Sequence, residues 1–185
     1  GDPLVHLVRN SLDHGIETYG YRIEEHDGRT MLPAELAKAG VVGPAIKELI
    51  RAGSLDVGGR TVKLDDVSIF KPGQKLAFVM DTRLCEAAID LARGVDLLVC
   101  ESTYLSSEES DARAHGHLTA KQAGAIAREA GVRKLVLTHF SQRYGSTKPF
   151  VEEARSVFDG EVVAVRDGDR IPVPKREGAE ESSET

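Results

Sequence analysis

Three residues with metal-binding chemistry, His14, Asp81 and His139, each stand where an apolar stretch of the sequence ends. Residues 76–80 precede Asp81 and residues 135–138 precede His139, and both stretches have the length and composition of buried strands. Two imidazoles and one carboxylate at strand ends suit a borderline-soft cation such as zinc. These three ligands alone make an incomplete site.

Each of these three residues also has an ordinary structural interpretation. Asp81 or Thr82 could cap the helix that follows, because a side-chain oxygen there accepts a hydrogen bond from a helix N–H. His139 could be a hydrogen-bonded structural histidine, and His14 could be a turn residue before Gly15. Residue type and spacing leave both interpretations open.

The loop after His139 carries polar side chains of a different kind. Ser141, Arg143 and Tyr144 place a hydroxyl, a guanidinium and a phenol within four residues of one another. A planar guanidinium with hydroxyl donors beside it favours recognition of a phosphate group. We therefore expect Ser141 and Arg143 to bind a substrate phosphate.

Two further residues are candidates for proton transfer. His117 lies two residues before Thr119, the predicted cap of a helix, and could act as a general acid that protonates a leaving oxygen. Its ordinary alternative is a solvated loop histidine. Glu101 follows a predicted strand and could orient a catalytic or metal-bound imidazole, although it could equally be a capping or salt-bridged acid.

The elements that must position these side chains alternate between strand and helix from residue 75 onward, which predicts an α/β sheet covered by helices. The expected strands span residues 4–12, 19–25, 76–80, 96–100, 134–138 and 162–166. The expected helices span residues 45–51, 84–92, 119–130 and 150–158, and Gly58-Gly59 marks a hairpin turn.

Composition indicates a globular domain that lies in the cytoplasm. The chain has 185 residues and only two cysteines, which argues against a disulfide scaffold and fits a reducing compartment. No apolar run approaches the length of a membrane span, and no leader opens the chain. The net charge is −6, but four glutamates fall in the low-complexity end. We expect one domain over residues 1–174 and an acidic disordered tail over 175–185.

Several short motifs, taken in order, closely resemble the ribonuclease Z family, the tRNA 3′-processing endoribonucleases of the metallo-β-lactamase superfamily. The resemblance covers residues 4–173, and the string at 138–144 is its most specific part. The motifs are Leu-Asp-His-Gly at 12–15, Gly-Tyr-Arg at 20–22, Met-Asp-Thr at 80–82, Cys-Glu-Ser-Thr-Tyr at 100–104, His-Leu-Thr-Ala at 117–120 and Leu-Thr-His-Phe-Ser-Gln-Arg-Tyr at 137–144.

The resemblance implies a fold and a set of residue roles. The fold would be the C-terminal half of an αββα metallo-β-lactamase sandwich, with two Zn²⁺ in the complete active site. The implied metal ligands are His14 for one zinc, His139 for the other and Asp81 bridging both. The implied catalytic residues are His117, which assists the leaving group, Glu101, which supports it, and Arg143, near the scissile phosphate.

The implied reaction is zinc-dependent endonucleolytic removal of the 3′ trailer from precursor tRNA, by a homodimer. His117 would protonate the departing 3′ oxygen, so the tRNA would end in a 3′-hydroxyl. Two alternatives stay open. One is another phosphodiesterase of the same superfamily, and the other is an inactive half-domain that acts only in assembly.

The sequence departs from the family pattern in three places. Met80 stands where the family has glycine, and Cys100 stands where it has histidine. The His-x-His-x-Asp-His motif, which supplies the family's other ligands, does not occur in residues 1–185, and neither does its tRNA-gripping arm. We therefore expect this chain to correspond to the C-terminal part of such an enzyme and to be inactive by itself.

Overall fold

The computed structural model describes residues 3–13 and 16–176. His14, a predicted metal ligand, and residues 177–185, most of the predicted acidic tail, lie outside the described residues. Contacts divide the chain into two compact units, one within Gly1–His26 and Gln74–Lys175 and the other chiefly Asp27–Gly73. Each unit has its own hydrophobic core.

From residue 75 onward, the strands and helices alternate as the sequence pattern predicts. The strands are β1 (Leu4–Asp13), β2 (Ile16–Glu24), β3 (Gly28–Met31), β4 (Ser54–Val57), β5 (Arg60–Lys63), β6 (Ser68–Lys71), β7 (Lys75–Val79), β8 (Leu97–Glu101), β9 (Lys134–Thr138) and β10 (Glu161–Ala164). The helices are α1 (Pro33–Lys38), α2 (Pro44–Ala52), α3 (Glu86–Ala92), α4 (Glu109–His115), α5 (Ala120–Ala130) and α6 (Lys148–Arg155). Short 3-10 turns lie at Leu64–Val67 and Ser106–Glu108.

The first unit is built on a six-stranded sheet with the order β1-β2-β7-β8-β9-β10. The pairs β1–β2 and β2–β7 are antiparallel, whereas β7, β8, β9 and β10 run parallel to one another. The carboxyl ends of parallel strands meet at one edge of a sheet, which is where α/β proteins bind ligands. The residues that follow β7 and β9, and the last residue of β8, therefore share that edge.

Three helices cover one face of this sheet. Helix α3 packs on β1, β2 and β7, α5 packs on β8 and β9, and α6 packs on β10. The predicted capping box of α5 is confirmed, since the Thr119 hydroxyl accepts from the Gln122 N–H at 3.2 Å. Gly124 lets α5 and α6 approach closely, because a Cβ there would lie 2.7 Å from the Ala154 carbonyl oxygen.

On the opposite face of the sheet, large apolar side chains of β2 and β7 are exposed. Tyr21 pairs with Phe78 across β2 and β7, and Ile23 lies two residues further along the same face. Their exposed fractions are 45%, 37% and 37%, which is high for large apolar side chains on a sheet. A sheet with helices on one face and apolar side chains on the other has the form of one half of a two-sheet sandwich.

The second unit contains the hairpin β4–β5, the antiparallel pair β3–β6 and the helices α1 and α2. The predicted turn at Gly58-Gly59 is confirmed, and both glycines have positive φ, as a two-residue hairpin loop requires. Helix α2 begins at Pro44, which agrees with the helix predicted from that residue onward. The core of the second unit consists of Leu36, Val41, Leu49, Val62 and Val67.

The structure differs from the sequence prediction in the start of α3. The helix begins at Glu86 with Cys85 as its N-cap and has no side-chain cap, so the capping interpretation of Asp81 and Thr82 is wrong. The Thr82 N–H instead donates to Glu101 at 2.7 Å.

Helix α4 was not predicted, because Ala112 is its one buried residue and its sequence lacks an apolar period. Within the described ranges, no helix is long and apolar enough to cross a bilayer.

Candidate metal centre

Asp81, His117 and His139 converge at the carboxyl edge of the parallel strands. One ligand atom from each lies within 4.8 Å of the other two. The His139 Nε2 atom is 3.6 Å from Asp81 Oδ1, and the two imidazole rings have centroids 5.3 Å apart. The structure thus brings two of the three predicted ligands together and adds His117, which the sequence assigned to proton transfer.

The backbone turns sharply at both predicted ligands. Asp81 has φ of 46° and His139 has φ of 57°, and they are the non-glycine residues with positive φ in the part of the chain that the structure describes. The left-handed region costs an L-residue roughly 1–2 kcal/mol. Such strain collects at functional sites, where the surrounding structure maintains it.

Glu101 is the buried centre of the site. Its side chain has no exposed surface, and its carboxylate accepts from the Thr82 N–H at 2.7 Å and the Thr103 hydroxyl at 2.6 Å. The Leu118 N–H and His117 Nδ1 lie 3.2 Å and 3.1 Å from the same carboxylate. A buried carboxylate is costly unless donors surround it, and four donors do so here.

The hydrogen bonds to Glu101 determine the orientation of His139. The Thr103 Oγ1 atom is 2.9 Å from His139 Nδ1, and Thr103 has one hydroxyl hydrogen, which it donates to Glu101. Thr103 must therefore accept the hydrogen of His139 Nδ1. The Nε2 atom of His139 is left with its lone pair, which is the state that a metal ligand needs.

His117 is held by the same carboxylate. Its Nδ1 is within hydrogen-bonding distance of both Glu101 oxygens, at 3.1 Å and 3.3 Å, so it donates to them. Nε2 is the ring nitrogen on the side away from Glu101. His117 is largely buried, with 17% of its side chain exposed, whereas His139 and Asp81 are 45% and 48% exposed.

The donor set fits a borderline-soft divalent metal. Imidazole nitrogens with fixed tautomers and a half-exposed carboxylate are the ligands such ions prefer in proteins. Cys100, which directly precedes Glu101, adds no ligand to the candidate metal centre. It is fully buried, and burial raises the pKa of its thiol well above the ordinary value, so the thiolate that binds metals is disfavoured.

The predicted phosphate-binding residues lie beside this centre. The Arg143 guanidinium donates to Asp111 at 3.1 Å, which raises the pKa of Arg143, and its Cζ stands 5.0 Å over the Tyr104 ring centroid. The Tyr104 ring is in turn 6.2 Å from that of His117. Ser141 fastens its loop to the site, because its N–H donates to the Thr103 carbonyl at 3.1 Å.

Tyr144, which the sequence places in the same phosphate-binding loop, has protein partners instead. Its hydroxyl donates to Glu108 at 2.6 Å and accepts from the Leu105 N–H at 3.1 Å. The bond to Tyr144 lowers the pKa of Glu108. The phenol therefore anchors the segment between β8 and α4.

Sequence reasoning missed Thr103 as a bridge between Glu101 and His139. The signal was present, because a hydroxyl residue two positions after a buried acid lies on the same side of an extended chain. The role of the Thr82 N–H had no sequence signal, since every residue except proline carries that donor.

Relatives of this chain share its sequence over most of its length. A family model described as Beta-lactamase superfamily domain matches residues 66–140. The ribonuclease Z of Streptomyces coelicolor is 53% identical over 175 residues, which are 94% of this chain and 57% of that protein. The ribonuclease Z of Salinispora arenicola is 53% identical over 170 residues, which are 92% of this chain and 55% of that protein.

Solved structures share the fold at lower identity. A metallo-β-lactamase-fold protein from Bacillus subtilis superposes with a TM-score of 0.57 at 21% identity, over 91% of this chain and 51% of its own. The short form of human tRNase Z superposes with a TM-score of 0.52 at 20% identity, over 94% of this chain and 44% of its own. The predicted metallo-β-lactamase fold is confirmed. The chain spans about half the length of the curated relatives it matches.

Proposed function

Because this chain belongs to the ribonuclease Z family, we propose that it forms part of a zinc-dependent site that removes the 3′ trailer from precursor tRNA. The observation that supports this is the convergence of Asp81, His117 and His139 on one another, with His117 held by the buried carboxylate of Glu101. The other ligands would come from the His-x-His-x-Asp-His motif of the family, which residues 1–185 lack.

Asp81 and His139 would hold the metal from this chain, together with His14. The hydrogen bonds through Thr103 keep the His139 lone pair on Nε2, the atom 3.6 Å from Asp81. Zinc would supply Lewis-acid activation of the phosphodiester and of its nucleophile. The chain's own contribution is to fix the two ligands in place before the metal arrives.

His117 would act as the general acid for the leaving 3′ oxygen. Its Nδ1 donates to Glu101, so the buried carboxylate orients the ring and stabilises positive charge on it. The proton on Nε2 would pass to the departing oxygen, and the tRNA would end in a 3′-hydroxyl. Glu101 acts through His117 and His139 and does not itself touch the substrate.

Arg143 and Ser141 would bind the scissile phosphate. Arg143 now pairs with Asp111, and both side chains are nearly half exposed, at 44% and 47%. An exposed ion pair of this kind stabilises a protein little, so the guanidinium can exchange Asp111 for a phosphate at small cost. Family membership also leads us to propose a homodimer in the cytoplasm.

The test is a chimera that joins this chain to the part of the Streptomyces coelicolor relative that it does not span. We expect the chimera to bind two zinc ions and to cleave a precursor tRNA, and the 185-residue chain to bind fewer than two and to cleave nothing. Asp81→Ala and His139→Ala should abolish cleavage and lower zinc content, whereas His26→Ala, an exposed histidine, should change neither. A folded chimera without cleavage, or an active chain alone, would contradict the proposal.

A second measurement separates the two possible roles of His117, acid or metal ligand. His117→Ala in the chimera should keep its zinc and lose about 10²–10⁴-fold in tRNA cleavage. Hydrolysis of a nitrophenyl phosphodiester should change little, because nitrophenolate leaves without protonation. Loss of zinc, or an equal loss of both activities, would make His117 a ligand and refute its role as the acid.

A further inference from the structure

A pocket of about 240 Å³ opens on the side of His117 next to α4 and α5, and the residues named as the candidate metal centre account for only one of its walls. Its lining residues are Arg83, Leu84, Glu109, Arg113, His117 and Gln122. We call it the arginine pocket. His117 belongs to both the pocket and the candidate metal centre, so a ligand in the pocket lies next to the proposed general acid.

The charges in the arginine pocket favour an anion. Arg83 is oriented by its Nε, which donates to the carbonyl oxygen of Arg113 at 3.2 Å. Within the described ranges, no carboxylate lies within ion-pair distance of the Arg83 or Arg113 guanidinium. The one acidic residue of the lining, Glu109, accepts from the Gln122 amide at 3.2 Å. The pocket thus carries two cations against one acid that already has a donor.

The start of α5 adds to this positive field. Gln122 lies in the first turn of the 11-residue helix, whose N-terminus carries a partial positive charge. Planar guanidinium groups match phosphate oxygens better than they match a compact anion, because two N–H groups can bind two oxygens at once. A phosphodiester is therefore the ligand class that this lining recognises.

We propose that the arginine pocket binds the RNA backbone on the 5′ side of the cleaved bond, at the phosphate of the nucleotide whose 3′ oxygen leaves. This inference rests on the proposed function, since it requires His117 to protonate that oxygen. The leaving nucleotide must then lie against His117, and Arg83 and Arg113 line the same pocket as the imidazole. The two arginines hold the tRNA end while the proton is transferred.

The test is an NMR titration of the zinc-free 185-residue chain with a single-stranded ribotetranucleotide, in parallel with inorganic phosphate. We expect saturable shifts of the Arg83 and Arg113 Nε–H signals and of the His117 ring. Arg83→Gln and Arg113→Gln should each weaken tetranucleotide binding about threefold, and together about tenfold, since each exposed contact is weak. The double variant should reduce the slope of log K against log salt by about 0.7, the value for one phosphate contact on a single strand.

The control is Arg128→Gln, which removes the same charge from the exposed last turn of α5, at the opposite end of the helix, and should change neither quantity. Equal losses in Arg128→Gln and the pocket variants would overturn the proposal, as would equal affinity for inorganic phosphate and the tetranucleotide. If the chimera fails to cleave precursor tRNA while the pocket variants still lose RNA binding, that result would refute the proposed function but would still support RNA binding by the arginine pocket.

Discussion

Replacing Thr103 with valine would remove the hydroxyl between Glu101 and His139 and keep the branched shape of the side chain. Thr103 is buried, with 7% of its surface exposed, so water cannot readily replace the lost hydroxyl. The Glu101 Oε2 atom lies 4.0 Å from His139 Nδ1, which is too far for it to accept the hydrogen in place of Thr103. The substitution therefore leaves His139 free to change tautomer.

Two magnitudes follow from these distances. The fully buried carboxylate of Glu101 would lose the Thr103 hydroxyl as a donor, and a buried polar group without its partner costs about 1–3 kcal/mol, so Thr103→Val should lower the free energy of unfolding by that amount. Loss of a partner that orients a metal-binding histidine typically lowers metal affinity about 10–100-fold, and we expect that loss for zinc. Thr103→Ser keeps the hydroxyl and should recover most of the affinity.

The assay is zinc competition against a chromophoric chelator, combined with long-range ¹H–¹⁵N spectra that report which ring nitrogen of His139 carries the hydrogen. The matched control is Ser102→Ala, because the neighbouring Ser102 hydroxyl donates to the Thr138 carbonyl at 3.1 Å and touches neither histidine. Wild-type zinc affinity and an unchanged tautomer in Thr103→Val would refute the reasoning. An equal loss in Thr103→Ser would show that shape, and not the hydroxyl, matters.

Two further predictions concern strain and reactivity. His139→Gly should be more stable than His139→Ala by about 1 kcal/mol in denaturant unfolding, because φ at residue 139 is +57° and glycine adopts that region without a Cβ penalty; the opposite order would mean that residue 139 is not strained. A thiol reagent at mildly alkaline pH should modify Cys85 in the native chain and reach Cys100 only in denaturant, because burial raises the pKa of the Cys100 thiol well above its usual range; native labelling of both thiols, counted by mass spectrometry, would contradict this.

The parallel strands and the edge they share could be predicted from the sequence, because short apolar runs ending in polar residues are strong local signals. Residues 76–80 and 134–138 match β7 and β9 closely. Helix α4 and the pair β3–β6 escaped prediction, since most of their residues are exposed and each element is only four to seven residues long. Short elements of this kind depend on tertiary contacts more than on their own sequence.

The sequence likewise predicted some features of the candidate metal centre and not others. Residue types predicted that Asp81, Glu101, His117 and His139 carry chemistry, and strand order brings them together. The sequence did not predict that Asp81 and His139 adopt positive φ, because few non-glycine residues do so, although aspartate and histidine do so more often than most. Nor did it predict the donors around Glu101, half of which are backbone N–H groups.

The end of β8 explains how two strained turns are maintained on either side of it. Residues 101–103 lie between the turns that follow β7 and β9. Glu101 accepts the N–H of Thr82, directly after Asp81, at 2.7 Å. The Thr103 carbonyl accepts the N–H of Ser141, two residues after His139, at 3.1 Å, and the Ser102 N–H donates to the Thr138 carbonyl at 2.9 Å.

Residues 101–103 at the end of β8 thus form hydrogen bonds with the backbone that follows β7 and β9. The side chains of Glu101 and Thr103 orient the imidazoles of His117 and His139. Strain of roughly 1–2 kcal/mol at each ligand persists because these bonds would be lost if either turn relaxed. The same three residues therefore connect fold stability to metal geometry. A change at Glu101 should consequently disturb Asp81 and His139 together, although it touches neither metal nor substrate.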